Sequence, residues 1–383
     1  MKHSQDSAIP MGANYACWHL PVLSQREFNG LSSGERLLYF ARLAHLAPST
    51  HNTQPWRFFL DEGQNSIAVY LDRAAVLPAS DVKGRQATIS AGAAMAHLVI
   101  AAEQYGLSVE MAIEAARNVV LTAAGRSVAE RYARLGAMRF AASQKASRGG
   151  DCFLAIWKRK VMRAEFDMVT PVPADILRSL EKMADGKEVK LYAVTDTARR
   201  YSVAEFQAQA DGFVINSKKF SRELGDWLLP NDSRSGLGMP GSGFGLGDAE
   251  ARRMHKGLMG ETPLEPEDGL KFSLGGKRGI ETSPLLCFLT IAKDDPPHWV
   301  RAGIAFEKMF LGLTAAGCYV AVHAGIVEVG LINRMFSATL GTLRPLAVFF
   351  RAGHLKDARY AARPHSPRRP IEEVLLAVLP DSA

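Results

Sequence analysis

Two stretches of this sequence follow one plan. Ala91-Gly92-Ala93-Ala94 opens a run of small and apolar residues that closes at Gly106, and Ala302-Gly303-Ile304-Ala305 opens another that closes at Gly317. The spacing from glycine to glycine is 14 residues in both, and a β-type stretch follows each closing glycine. A helix that is apolar nearly all round has to be buried. Two of them in one chain predict a duplicated α+β unit whose central helices pack against each other. A chance match between two glycine-capped helices is the alternative.

The rest of the chain can supply such a core. Its 383 residues are 47% hydrophobic and 22% charged, with 33 Gly and 19 Pro, which excludes a disordered or collagen-like chain. The net charge of +7 suits anionic small ligands, and without a clustered basic face it does not imply nucleic acid. Four cysteines, Cys17, Cys152, Cys287 and Cys318, lie far apart with no CxxC pair, so neither a disulfide framework nor a metal site is expected. The first residues lack a basic region followed by an apolar one, so no signal peptide is read. The longest uncharged apolar run, 309–322, is too short to span a membrane. A soluble, cytoplasmic protein is expected.

Along the chain, 1–30 has no clear period and reads as an arm or a short helical lead-in. A helix is expected over 32–46, with Ser32 or Ser33 as N-cap and Glu35 in the first turn. Strands follow at 56–60 and 66–71, a helix at 89–105, a strand at 108–113 and a helical pattern at about 128–142. The stretch 143–151 reads as a linker. A second series then predicts helices at 153–163 and 173–184 and a strand at 190–195. Residues 199–282 read as irregular, with six glycines between Gly236 and Gly247, the mark of a lid or binding loop. A strand at 284–291, a helix at 299–316, a strand at 318–322, a helix at 331–340 and a strand at 346–350 complete the series.

The strongest local signal is APSTHNTQPW, residues 47–56. Every residue from Ser49 to Gln54 carries a hydrogen-bonding side chain, where an ordinary turn needs one or two. Two basic clusters, KRKVMR at 158–163 and Arg368-Arg369, stand far apart in sequence. Guanidinium forks match phosphate oxygens, although a solvated basic face would read the same way. The glycines of 236–247 lack the strand and helix context of a dinucleotide fingerprint. Trp227 and Phe244 are candidates for packing that segment onto a ligand.

APSTHNTQPW resembles the APSxxNxQPW signature of the FMN-dependent nitroreductase superfamily. Residues 156–166 resemble that family's basic segment, PRRPIEEV at 367–374 its phosphate-binding tail, and the helix from Gly303 to Gly317 with 319–325 its central helix and flavin-edge loop. The likeness covers about 35–110 and 153–375. The family works as a homodimer with FMN at the interface. Here the first half has the polar loop but no basic segment ahead of it, and the second has the basic segment, edge loop and tail. In place of a second polar loop it has only Ala-Asp-Gly-Lys-Glu-Val at 184–189. The chain is thus similar to the tandem, Acg-like branch of the family.

The resemblance implies an α+β nitroreductase-like fold of two fused half-units, forming an intrachain pseudo-dimer with an inserted lid. The expected division is an arm at 1–30, one half at 31–150, and a second at 151–383 with the lid at about 199–282. It implies one FMN. Arg159 and Arg163 would meet its phosphate and polar edge, and Arg369, with Arg368, would complete the phosphate site. Ser49, Thr50 and Asn52 would line ring and ribityl chain, Gln54 would support the loop, and backbone amides at Ala324 and Gly325 would face N5. Val161 replaces a common Ser, and Ala324 a Glu found in some members. His51 and His323 are proton-donor candidates, with a loop hydrogen-bonder and a packed residue as the plainer readings. The implied activity is ping-pong transfer from NAD(P)H to a nitroaromatic, quinone or other conjugated acceptor, by a monomer or weak homo-oligomer. An FMN-sequestering protein with an occluded flavin, and a specialised flavoenzyme that fragments flavin or dehydrogenates a metabolite, remain alternatives.

Overall fold

The computed structural model describes residues 12–114, 119–120, 128–143 and 150–380. In the first unit, helix α1 (Ser33–His45) starts in a capping box, with Ser32 Oγ accepting from Glu35 N and Glu35 accepting from Ser32 N. It leads into β1 (Trp56–Asp61), β2 (Ser66–Asp72), α2 (Arg85–Gln104), β3 (Leu107–Ile113) and β4 (Tyr132–Ala142). The second unit runs α3 (Gly150–Lys158), α4 (Ala174–Met183) and β5 (Val189–Val194). Four inserted helices follow: α5 (Thr197–Asn216), α6 (Lys218–Trp227), α7 (Asp248–Leu258) and α8 (Pro266–Glu281). It closes with β6 (Leu285–Ile291), α9 (Pro296–Ala315), β7 (Tyr319–His323), α10 (Gly330–Thr339) and β8 (Leu346–Gly353).

The two sheets share one topology. Their strand orders are β1-β2-β4-β3 and β5-β6-β8-β7, antiparallel throughout. In each, a long buried helix, α2 or α9, separates the second strand from the third. The four-helix insertion sits inside the β5–β6 connection, where the first unit has only the turn between β1 and β2. This is an α+β arrangement of two fused half-units.

The repeated glycines mark where α2 and α9 meet. A Cβ on Gly92 would strike the Val300 carbonyl oxygen and lie 3.1 Å from Gly303 Cα. A Cβ on Gly303 would strike the Ile89 carbonyl oxygen and lie 3.0 Å from Ala93 N. Each glycine thus touches the residue three before the other, the reciprocity of a twofold-related pair. Gly303→Ala is expected to force the helices apart and cost about 1–3 kcal/mol, read as a lower urea midpoint at unchanged slope. A midpoint equal to wild type would mean that the crossing is not close-packed.

Three segments differ from the sequence reading. Residues 132–142 are a strand, not a helix, because of a bulge: Val69 pairs with Gly136 and Tyr70 with Arg134. Ala133 and Leu135 are buried before the bulge, Met138 and Phe140 after it, and the slip between the two alternating pairs imitates a helical period. The helix expected at 153–163 stops at Lys158, and Val161 bridges to Val320. The insertion is largely helical. Its period was hidden because the buried face of α5 includes Gln207 and Asp211, and α8 carries Gly269, Gly275, Gly276 and Gly279. The expected arm and linker fall partly on 1–11 and 144–149, outside the described residues. Among the described residues no helix is long and apolar enough to cross a membrane.

Candidate functional site

The polar loop joins α1 to β1 in an uncommon backbone. His51, Asn52 and Gln54 have φ of 48°, 58° and 48°, a left-handed conformation that non-glycine residues keep only when their surroundings impose it. The second unit imposes it through residues 366–369. Asn52 donates to Gly238 O at 3.0 Å and Pro367 O at 2.9 Å. Gln54 donates to Gly236 O at 2.7 Å and accepts from Arg369 N at 3.0 Å. His45 accepts from Trp56 Nε1 on Nδ1 at 3.0 Å, so its proton lies on Nε2, which donates to Arg369 O at 2.9 Å. Burial pushes the His45 ring down to about 3 and keeps it neutral.

Arg368, only 2% exposed, is the centre of this fastening. Its guanidinium donates to His45 O, Leu46 O and Ala47 O at 3.0, 3.0 and 2.9 Å, and to Asn52 Oδ1 and Pro367 O, both at 2.9 Å. The cation lies at the C-terminal end of α1, where carbonyls lack helical partners and the helix dipole is negative.

Above this loop lies a cavity of about 730 Å³ between the two units, within the roughly 300–1,000 Å³ of small-molecule sites. Ser49, Thr50 and His51 line one side, with Ser90 and Ala93 of α2 and Phe306 of α9 at the junction of the units. The opposite side is basic, with Arg159, Lys160, Arg163, Arg351 and Arg363. Arg159 is committed elsewhere, donating to Leu46 O at 2.6 Å and pairing with buried Glu307 at 3.2 Å. Lys160 donates to Ala361 O and Arg363 O, and burial pushes its ammonium down to about 8. Arg163 lies over the Phe244 ring at 4.2 Å and has no carboxylate partner among the described residues. Burial, then Arg363, pushes it down to about 10.

Three histidines face the same space. His51 Nδ1 and His365 Nδ1 are buried without a hydrogen-bond partner. Burial, with Arg163, takes His51 down to about 4. His323 Nε2 accepts from Arg351 Nε at 3.0 Å, so its proton sits on Nδ1. Burial and the nearby Arg351 and Arg163 hold it well below the usual histidine range. Glu165, Asp211, Glu223, Glu250, Asp268 and Glu328 also line the cavity.

Of the residues singled out in the sequence, the structure brings Ser49, Thr50, His51, Asn52, Arg159, Arg163, His323, Ala324, Gly325 and Arg368 to this cavity. Gln54 lies beneath it and holds the loop. Arg369 does not line it; its side chain pairs with Glu373 at 3.3 Å, and its backbone serves His45 and Gln54. Phe244 lines the cavity and Trp227 does not. Sequence reasoning missed Arg351, Arg363, His365, Glu307 and the lining carboxyls. Lys160 lies within the basic cluster at 158–163, Glu307 within the repeated helix from Gly303 to Gly317, and Arg363 just ahead of the tail motif; Arg351 lies in an apolar strand with no motif around it.

A fused pair of like α+β units with a cavity between them is the class of protein that fold and site define. No family model matches the sequence. The chain is 24% identical over 339 residues, 87% of its length and 93% of the relative's, to a putative NAD(P)H nitroreductase, acg, of Mycobacterium tuberculosis. The resemblance to the nitroreductase superfamily thus runs along nearly the whole chain and not at its motifs alone. Among solved structures, the FMN-dependent nitroreductase NfnB of Mycobacterium smegmatis, in complex with NADPH, is 17% identical with a TM-score of 0.39, covering 58% of this chain and 95% of that one. A nitroreductase with bound FMN from Desulfitobacterium hafniense is 14% identical with a TM-score of 0.36, covering 60% and 99%.

Proposed function

We propose that the cavity binds one FMN and that the chain is an FMN-dependent oxidoreductase of the nitroreductase kind. It would take electrons from NAD(P)H and deliver them to a nitroaromatic, a quinone or another conjugated acceptor. One observation carries this reading. Arg163 is a largely buried guanidinium that faces the cavity with no carboxylate partner among the described residues. Leaving a cation so placed is costly unless an anion joins it. Lys160 and Arg363 beside it complete a phosphate-sized basic corner, and the orphaned Nδ1 atoms of His51 and His365 offer further polar contacts. The full-length likeness to a protein named as an NAD(P)H nitroreductase supports the same reading.

The residues present fit FMN. Arg163, Lys160 and Arg363 would hold the phosphate. Ser49, Thr50 and His51 from one unit, and Ala324 and Gly325 from the other, would face the ring system. Arg159, Arg368, Asn52 and Gln54 hold these walls in place. When bound, the flavin supplies the hydride and electron transfer. His323, kept neutral with its proton on Nδ1, can present that proton to the bound group without adding charge. A single site per chain follows from the second unit's counterpart of the polar loop. There Asp185 Oδ1 accepts from Lys187 N, Glu188 N and Val189 N, so its side chain closes a tight turn and is spent on its own backbone.

The purified protein should be yellow and release about one FMN per chain on denaturation. NADH or NADPH, mixed in without air, should bleach the visible flavin band, and a quinone should restore it. A bound flavin that neither dinucleotide bleaches would replace the enzyme reading with sequestration, and FAD in place of FMN would overturn both. Arg163→Ala should weaken FMN binding roughly tenfold to a hundredfold while barely affecting riboflavin, which lacks the phosphate. Arg369→Ala should change FMN binding by no more than about 0.5 kcal/mol.

A further inference from the structure

We propose that the wall formed by Asp211 and Glu328 is a subsite for a protonated amine, so that the acceptor taken here is a conjugated compound bearing a cationic nitrogen. The proposal rests on the function above for the word acceptor; the subsite itself rests on the geometry. Asp211, on the inserted helix α5, is 7% exposed and wedged between two glycines. A Cβ on Gly325 would lie 2.8 Å from its Oδ1, and a Cβ on Gly276 would strike its Oδ2. Gln207 accepts from Ile326 N at 3.3 Å, which fixes its amide so that Nε2 donates to Asp211 Oδ1 at 2.6 Å. Oδ2 has no hydrogen-bond partner among the described residues.

Glu328 is held in the same manner. Thr50 Oγ1 donates to Gln86 Oε1 at 3.0 Å, and Gln86 Nε2 donates to Glu328 Oε1 at 2.8 Å. Oε2 is left without a partner among the described residues. Neither carboxyl has an ion pair there, although the opposite wall of the cavity is basic. Burial raises both to about 7, and the nearby carboxyls of Asp81, Glu223 and Asp211 add to the rise at Glu328. Of the other carboxyls lining the cavity, Glu223 is already occupied, with Ala79 N and Ser80 N donating to its two oxygens at 2.7 and 3.0 Å, and Asp268 and Glu165 are ion-paired.

Two oriented carboxyls, each with one acceptor open to the cavity, match an ammonium group, which brings three donors and a charge. The cation would favour the ionised form that burial disfavours. A metal ion fits less well. Calcium takes six to eight oxygen ligands, and the described residues contain no group of three or more His, Cys, Asp or Glu placed to hold a metal. An anionic acceptor would be repelled from this wall.

The test uses the flavin-loaded protein and three acceptors of one shape: para-nitrobenzylamine, para-nitrobenzyl alcohol and para-nitrobenzoate. Binding of benzylamine, which carries no reducible group, is measured beside them by calorimetry. The amine should have a kcat/KM roughly tenfold to a hundredfold above the alcohol, with the benzoate lowest. Asp211→Asn and Glu328→Gln, isosteric changes, should each bring the amine-to-alcohol ratio towards one and weaken benzylamine binding alike. Equal values for amine and alcohol in the wild type overturn the subsite whether or not either variant folds, and so does a preference that survives both substitutions. If no nitro compound is reduced but benzylamine binds the wild type and not the variants, the subsite stands and the proposed function falls. If benzylamine also fails to bind, the subsite falls with it.

Discussion

Arg368→Met should destabilise the protein by at least about 3 kcal/mol, because it strips buried acceptors of a charged donor and leaves nothing in its place. The carbonyls of His45 and Ala47 and Oδ1 of Asn52 would lose this donor at once, and Leu46 O would keep only Arg159. The loss should appear as a lower urea midpoint and as new protease cleavage within residues 47–54. Arg368→Lys should rescue little, since an ammonium cannot reach acceptors spread around a planar fork. A midpoint within about 0.5 kcal/mol of wild type would show that the loop holds its left-handed residues unaided.

A second large effect is expected at Glu307. A polar chain crosses the core here: His97 Nδ1 donates to Leu43 O at 2.8 Å, and His97 Nε2 meets Glu307 Oε1 at 2.8 Å. Glu307 also pairs with Arg159 at 3.2 Å, and Arg159 donates on to Leu46 O. Both Glu307 and His97 are 0% exposed. Glu307→Leu removes the anion and leaves Arg159 buried with no counter-charge, facing only the Leu46 carbonyl and the Phe310 ring, 5.2 Å away. The cost should be about 3–5 kcal/mol, with FMN affinity falling because Arg159 no longer supports the cavity wall. Glu307→Gln keeps the shape and an acceptor and should cost less. If Glu307→Leu proved as stable as wild type, the chain of contacts would be a solvable packing problem and not a charge requirement.

The sequence made the duplication readable because close helix crossing leaves a covalent trace: only glycine fits where Gly92 and Gly303 meet. The polar loop was readable for the opposite reason, an excess of side-chain donors and acceptors. What those groups do was not. Asn52 and Gln54 spend theirs on Pro367, Gly236, Gly238 and Arg369, partners known only once the units are folded together. Adjacent arginines are alike on paper, yet Arg368 points inward and Arg369 pairs with Glu373 beside the cavity. The strand at Tyr132–Ala142 was lost to a one-residue bulge, and α5 to the polar residues on its buried face. In both, the misleading feature is local and the correcting one tertiary.

The fastening of the polar loop also sets an order of events during synthesis. Gln54 and the Arg369 amide that completes it are 315 residues apart, and the same late segment docks alongside β1 through Leu376 N and Phe58 O, at 2.8 Å. At roughly 5–20 residues per second, the ribosome needs on the order of 15–60 s to deliver the second partner after the first. The first unit can cap α1 and pair its own strands in that interval, but its loop has nothing to close against. The loop can therefore take its final conformation only after the segment around Arg369 has been made.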